Sequence, residues 1–234
     1  MKILALESSA RAASAALWED GALCAEFFQN MGYTHSRTLM PLAEHLLASC
    51  GVAPEAVDVY AVAAGPGSFT GIRIGIAAVK GMAWALDKPC AGVSSLLAMA
   101  YGHLHADKVV CAVMDARAGG VYNALFDTSS GEPVRLCADR ATTIDALGRE
   151  IILSKKSCLL VGDGAKVCYN TLLDMGADVA LAEEDVLVQR AGSVCRAAAR
   201  LAADGQLVKA DVLRPNYLRL PQAERERLKK LGEV

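Results

Sequence analysis

Charge of one sign, long apolar runs, paired cysteines and suitably spaced histidines are all missing from this chain of 234 residues. Lys and Arg total 24 against 26 acidic residues, a formal net charge of −2, so no global field draws in a polyanion. Any tRNA or DNA would have to be held mainly by a partner. No stretch of about 18 apolar residues occurs, which leaves no candidate for a transmembrane helix. The start, MKILALESSARAASAALW, is interrupted by Glu7, Ser8, Ser9 and Arg11 before a signal-peptide core can form. The expectation is a soluble, cytoplasmic protein with no membrane partner. The eight cysteines include no CxxC pair, which argues against a zinc ribbon or redox dithiol and leaves them as reduced, mostly buried small hydrophobes. None of His35, His45, His103 and His105 stand four apart, the spacing that puts two metal ligands on one helix face. HLHAD, from His103 to Asp107, lacks the residues that would complete an HxHxDH site. There is no GxSxG elbow for a serine nucleophile.

What is present is order, stated twice. KILALESS reads as a strand ending on an acid, and AASAALW and ALCAEFF flank the turn signal Glu19, Asp20, Gly21. A helix over Thr34 to Cys50, a strand VDVYAVAAG, a helix from Phe69 to Leu86, a strand PCAGVSS and a further helix follow. KVVCAVMDARAGGVYNALFD then reopens the pattern. A slide of 108 places sets Glu7 on Asp115, Ala16 on Ala124, Leu17 on Leu125 and Trp18 on Phe126. Helix, strand, helix, strand, helix come after it again. Two α/β lobes are expected, residues 1–106 and 107–234, with the last helix and tail able to pack back on the first lobe. A duplicated βββαβαβα unit is similar to the actin, sugar-kinase and heat-shock-chaperone ATPase superfamily. That likeness implies a cleft for ATP and its metal, faced by Glu7 and Asp115.

The stretch GPGSFTGIRIGIAAVKG, residues 65–81, begins like a phosphate loop. It fails as GxxxxGK[ST], because Ile72 and Arg73 follow Gly71, and its spacing is one residue too long for GxGxxG. A tight turn leading into a helix capped by Ser68 or Thr70 remains, with free N–H groups that suit an anion. On the helix, Ile72, Ile76, Val79, Ala83 and Leu86 form a core stripe, while Gly71, Gly75, Ala78 and Ala85 form a face of small side chains. An interior glycine costs about 1 kcal/mol relative to alanine, so it signals close approach of another backbone. The residues leave open whether that neighbour lies within the lobe or in another subunit.

LALESS, THSRTLMP, GPGSFTGIRIGIAAVKGMAWAL, GVSSL, MDARAGGVY and the late PNYLR followed by QAE closely resemble the TsaB (YeaZ-type) family. The resemblance spans nearly the whole chain. It implies a non-catalytic subunit, without cofactor or metal, that supports the paralogous transferase TsaD. TsaD places threonylcarbamoyl on the tRNA adenosine beside the anticodon, assisted by the ATPase TsaE. Family members pair through first-lobe helices, with themselves or with TsaD, which here implies an interface of His35, Leu39, Thr70, Gly71, Gly75, Ala78 and Met82. tRNA is reached only through the complex. The nucleotide site then reads as vestigial. Glu7, Asp115, Gly119 and Gly120 are its remnants, whereas ESSARAAS carries no glycine where phosphate would approach backbone. The alternative is a stand-alone ATP-dependent kinase or ATPase of the same fold. The tail QAERERLKKLGEV mixes both charges and reads as a solvated end, with a contact to tRNA phosphate as the alternative.

Overall fold

The computed structural model describes residues 1–117 and 119–219. The tail singled out above lies outside the described residues. Strands β1 (Lys2–Glu7), β2 (Ala13–Glu19) and β3 (Ala22–Gln29) form an antiparallel meander. Helix α1 (His35–Ser49) leads to β4 (Val59–Gly65), and α2 (Phe69–Ala85) leads to β5 (Cys90–Ser94). Both strands join in parallel, giving the order β3-β2-β1-β4-β5. After α3 (Ser95–Tyr101) the succession recurs. β6 (Val109–Asp115) and β7 (Gly120–Asp127) pair antiparallel, with short β8 (Val134–Arg135) and β9 (Arg140–Thr143) on β7. Then come α4 (Ile144–Ser154), β10 (Cys158–Val161), α5 (Ala165–Asp174), β11 (Val179–Leu181) and α6 (Ala191–Ala203). The second sheet runs β11-β10-β6-β7-β8.

β1 reads as unbroken apolar sequence because it is covered on both faces. Ile3, Leu4, Ala5 and Leu6 are all 0% exposed. Leu4 and Leu6 pack with Leu39, Leu46, Ile72 and Val79 from α1 and α2. Ile3 and Ala5 meet Val194, Cys195 and Ala198 of α6, whose small side chains let it lie close to the sheet. Each such leucine or isoleucine contributes about 1.5–3 kcal/mol by leaving water. α6 thus sits on the first sheet although it comes last in the chain. α3 crosses the other way, its Leu96, Met99 and Ala100 packing with Val110, Ala112 and Met114 of β6.

The register corrects one expectation from the repeat. Ala5 pairs with Ala16, whereas Ala112 pairs with Ala124, so the shift is 108 residues on the second strand but 107 on the first. Leu17 and Leu125 keep equivalent faces, as do Trp18 and Phe126. Glu7 corresponds to Met114, not to Asp115. The hairpin of the second lobe is one residue longer, and a slip of one reverses every side chain.

The small face of α2 also divides. A Cβ on Gly71 would fall 2.0 Å from the Ser8 carbonyl oxygen, and one on Gly75 would fall 2.5 Å from Ser8 Oγ and 3.0 Å from Val62 Cγ2. These glycines therefore serve close packing inside the lobe, which removes them, with fully buried Leu39, from any surface a partner could touch. Around a Cβ at Gly81 nothing among the described residues lies within 4 Å. Gly71→Ala should cost more than about 2 kcal/mol through the backbone clash, whereas Gly81→Ala should gain up to about 1 kcal/mol of helix propensity. Urea denaturation of the two variants checks this, and equal effects would contradict the division.

Candidate functional site

The cleft lies where the C-terminal ends of β1, β4 and β6 meet the strap of residues 214–219. The turn after β1 is held by α2. Ser68 N–H donates to the Ser9 carbonyl at 2.6 Å, Ser8 Oγ donates to the Gly71 carbonyl at 2.9 Å, and a Cβ at Gly67 would fall 2.3 Å from Ser9 O. Ser68 caps the helix, its Oγ accepting from Gly71 N–H at 3.3 Å. The helix N-terminus is thus partly occupied by the protein's own backbone and hydroxyl oxygens, which take up the Ser68 and Gly71 N–H groups. His35 completes the clamp, its Nε2 lying 2.7 Å from the Ala10 carbonyl oxygen. That bond ties α1 to the same turn.

Glu7 is fully buried behind this turn. Its Oε1 accepts from Ser9 N–H at 2.5 Å, while Oε2 has no partner among the described residues. Burial pushes its carboxyl up to about 7, against hydrogen bonds from Ser9, and the charge of Asp163 across the cleft pushes the same way. Asp163, in the loop after β10, is itself raised by burial although Gln189 Nε2 donates to its Oδ1 at 2.7 Å. Asp115 is exposed and accepts from Arg117 N–H at 2.7 Å. Met114 occupies the position equivalent to Glu7 and reaches toward Gly67, whose Cβ would fall 3.0 Å from Met114 Cε. The acids expected to face one another across the cleft are therefore not a pair. Gly119 has open space, but Gly120 lies under the Arg219 guanidinium, 2.8 Å from where its Cβ would be. Among the described residues no group of three or more His, Cys, Asp or Glu is arranged to hold a metal ion. His103 spends its Nε2 on the Val186 carbonyl at 3.1 Å.

Three features were not anticipated. Asp163 sits in the turn GDGA, residues 162–165, and is not among the acids the sequence pattern singles out. The strap carries Tyr217, which stacks on Phe69 with centroids 4.1 Å apart, accepts from Arg73 Nε at 2.9 Å and follows an Asn216 N–H bond to the Ala64 carbonyl at 2.7 Å. Its sequence signal, PNYLR, has no periodicity to reveal where it docks. Arg11, Arg117 and Arg219 line one cavity of 510 Å³ with Phe69, Tyr122 and Tyr217.

Of the expected interface, Thr70 is exposed, Ala78, Met82 and His35 are half-buried, and Gly71, Gly75 and Leu39 are interior. Exposed beside them on α2 stand Arg73, Ala77, Gly81 and Trp84.

The family model described as TsaD, tRNA N6-adenosine threonylcarbamoyltransferase, matches residues 29–230. The Escherichia coli tRNA threonylcarbamoyladenosine biosynthesis protein TsaB is 30% identical across 94% of this chain and 95% of its own length. The chain belongs to the TsaB family. TsaB of Bacillus subtilis is 38% identical over 56% of this chain and 57% of its own. The solved structure of a Pseudomonas aeruginosa protein described as similar to peptidase YEAZ superimposes with a TM-score of 0.81 at 28% identity, covering 93% of this chain and 99% of that one. Two lobes built on one repeated α/β plan carry the actin-like ATPase fold onto this TsaB family member.

Because Glu7 is buried with a raised pKa, the protonated form is the one the fold favours. Its contribution to stability is complete below the ordinary carboxylate pKa of 4.5 and is lost as pH rises through about 7, a difference of up to roughly 3 kcal/mol. Glu7→Gln should therefore flatten the decline in Tm between pH 5 and pH 8, with its largest relative gain at pH 8. A Tm profile parallel to that of the unaltered chain would contradict the assignment.

Proposed function

We propose that this TsaB family member is a non-catalytic subunit in tRNA threonylcarbamoyladenosine formation, pairing with a TsaD-type transferase through the outer face of α1 and α2. It works in the cytoplasm, assembles with a TsaE-type ATPase in the larger complex, and pairs with itself when the transferase is absent. The carrying observation is Gly81. An interior helical glycine costs about 1 kcal/mol, and nothing among the described residues comes near enough to need it. Ala77, Gly81 and Trp84 share the solvent side of α2, Trp84 is 80% exposed, and Met40 on neighbouring α1 is 44% exposed. Exposed aromatic and methionine side chains beside small ones suit a helix-on-helix contact.

The cleft supports the same reading. A stand-alone ATPase needs backbone free to approach phosphate and acids placed to hold the metal. Here the β1 turn is pinned by α2, Arg219 covers Gly120, and Met114 stands opposite Glu7.

The pairing is tested with Ala77→Trp and Gly81→Trp, both at exposed positions. Each should keep the Tm of the lone chain while weakening transferase binding at least 100-fold and abolishing modification in a reconstituted system. Unchanged affinity would overturn the proposal. A bulky group at Gly75 would strike Val62 and Ser8, so it cannot separate pairing from folding.

A further inference from the structure

A chain with two more acidic than basic residues nonetheless gathers unpaired arginines at one place. Among the described residues Arg135, Arg140, Arg190 and Arg200 each have a carboxylate partner within salt-bridge distance. Of the other eight described arginines, which have none among the described residues, Arg11, Arg73, Arg117 and Arg219 sit at the mouth of the cleft, while Arg37, Arg149, Arg196 and Arg214 lie elsewhere. Arg11, Arg117 and Arg219 line the same cavity, and Arg73 lies 4.0 Å over the Phe69 ring that also lines it. They come from four separate segments: the β1–β2 turn, α2, the β6–β7 turn and the strap. Asp115 and Asp163 line the same cavity but reach no guanidinium within salt-bridge distance, Asp115 accepting the Arg117 backbone N–H and Asp163 accepting from Gln189 Nε2, which leaves three arginines to two acids on its wall. Aromatic rings alternate with the guanidinium groups, with Tyr217 stacked on Phe69 and Tyr122 on the cavity wall.

We propose that this rim is a direct contact site for the tRNA, with arginines on backbone phosphates and the rings available to an unpaired base. The inference rests on the role proposed above and extends it, because it gives this subunit its own share of the RNA instead of leaving recognition to its partners. Unpaired arginines interleaved with aromatic rings are the chemistry of loop and single-strand recognition. A nucleoside triphosphate is the poorer occupant. It would have to descend past the rim, where Ser9 and Ala10 bring side chains, the β1 turn is already bonded to α2, and no second acid stands opposite Glu7 to hold its metal. Phosphodiesters on the outer rim need none of that depth. A site of a few contacts also fits the overall charge, since it adds to a complex without binding RNA alone.

The test uses the assembled complex of this chain, the transferase and the ATPase, with an unmodified tRNA transcript as probe. Affinity is measured against salt for the unaltered chain, for the double variant Arg11→Ala/Arg117→Ala, and for Arg149→Ala, an exposed arginine on α4 remote from the cleft. Removing two phosphate contacts should lower the magnitude of the log-affinity against log-salt slope by about 1.4–1.8. It should also weaken binding roughly 10-fold near 0.15 M salt, with pairing to the transferase retained. Arg149→Ala should do neither. Arg117→Lys, which keeps the charge, should keep the slope. An intact complex whose double variant binds with unchanged slope and affinity overturns the proposal, as does an equal loss in Arg149→Ala or competitive displacement of the tRNA from this rim by magnesium ATP. Failure of the unaltered chains to pair or to modify tRNA would instead refute the proposed function, and it would show before any rim variant is made.

Discussion

The backbone of Ser8 and Ser9 lies so close against α2 that a Cβ at Gly67 or Gly71 would come within 2.3 Å or 2.0 Å of their carbonyl oxygens. Much else depends on that contact. It draws the helix onto the end of β1, uses Ser68 N–H in a bond to Ser9, and lets His35 of α1 reach the Ala10 carbonyl. The turn that would have to yield to a phosphate is therefore fastened from two helices. Glu7 is sealed behind it with one oxygen unpartnered, a state made tolerable by protonation, since an isolated buried carboxylate is far costlier than a neutral acid.

The two lobes are tied by exchange. α6 closes the first sheet and α3 packs on the second, so each half contributes a helix to the core beside the other. The strap adds a third tie, running from Lys80 bonded to the Asp211 and Leu213 carbonyls, past Tyr217 on Phe69, to Arg219 over Gly120. Tyr217 touches the start of the helix whose outer face is assigned to the partner. The proposed partner face, the strap and part of the proposed cleft rim consequently share one element, α2, whose exposed Arg73, Ala77, Gly81 and Trp84 lie along one side of the helix.

The fold was largely legible because apolar patterning reports it directly: the near-continuous apolar runs of β1 and β2, buried along almost their whole length, and the apolar stripe of Ile72, Ile76 and Val79 need no tertiary knowledge. The glycines were legible as marks of close approach, but not which chain approaches. A missing Cβ looks the same whether Ser8 or another molecule fills the space, so Gly71 and Gly75 pointed to an interface that Gly81 alone supports. Asp115 was set opposite Glu7 because a slide of the whole sequence has one offset, whereas hairpins of unequal length require two. The arginine rim was invisible for a related reason. Its members lie as far apart in sequence as Arg11 and Arg219, and net charge averages them away.

The central claim is that α2 turns its glycine-bearing outer side to another subunit. Photo-cross-linking from a probe placed at position 81, with a matching probe at Leu153, an 81% exposed apolar residue on α4, tests it most directly. The account predicts capture of the transferase from position 81 and none from 153. Capture from 153 with silence at 81, in a complex shown to be assembled, would contradict it.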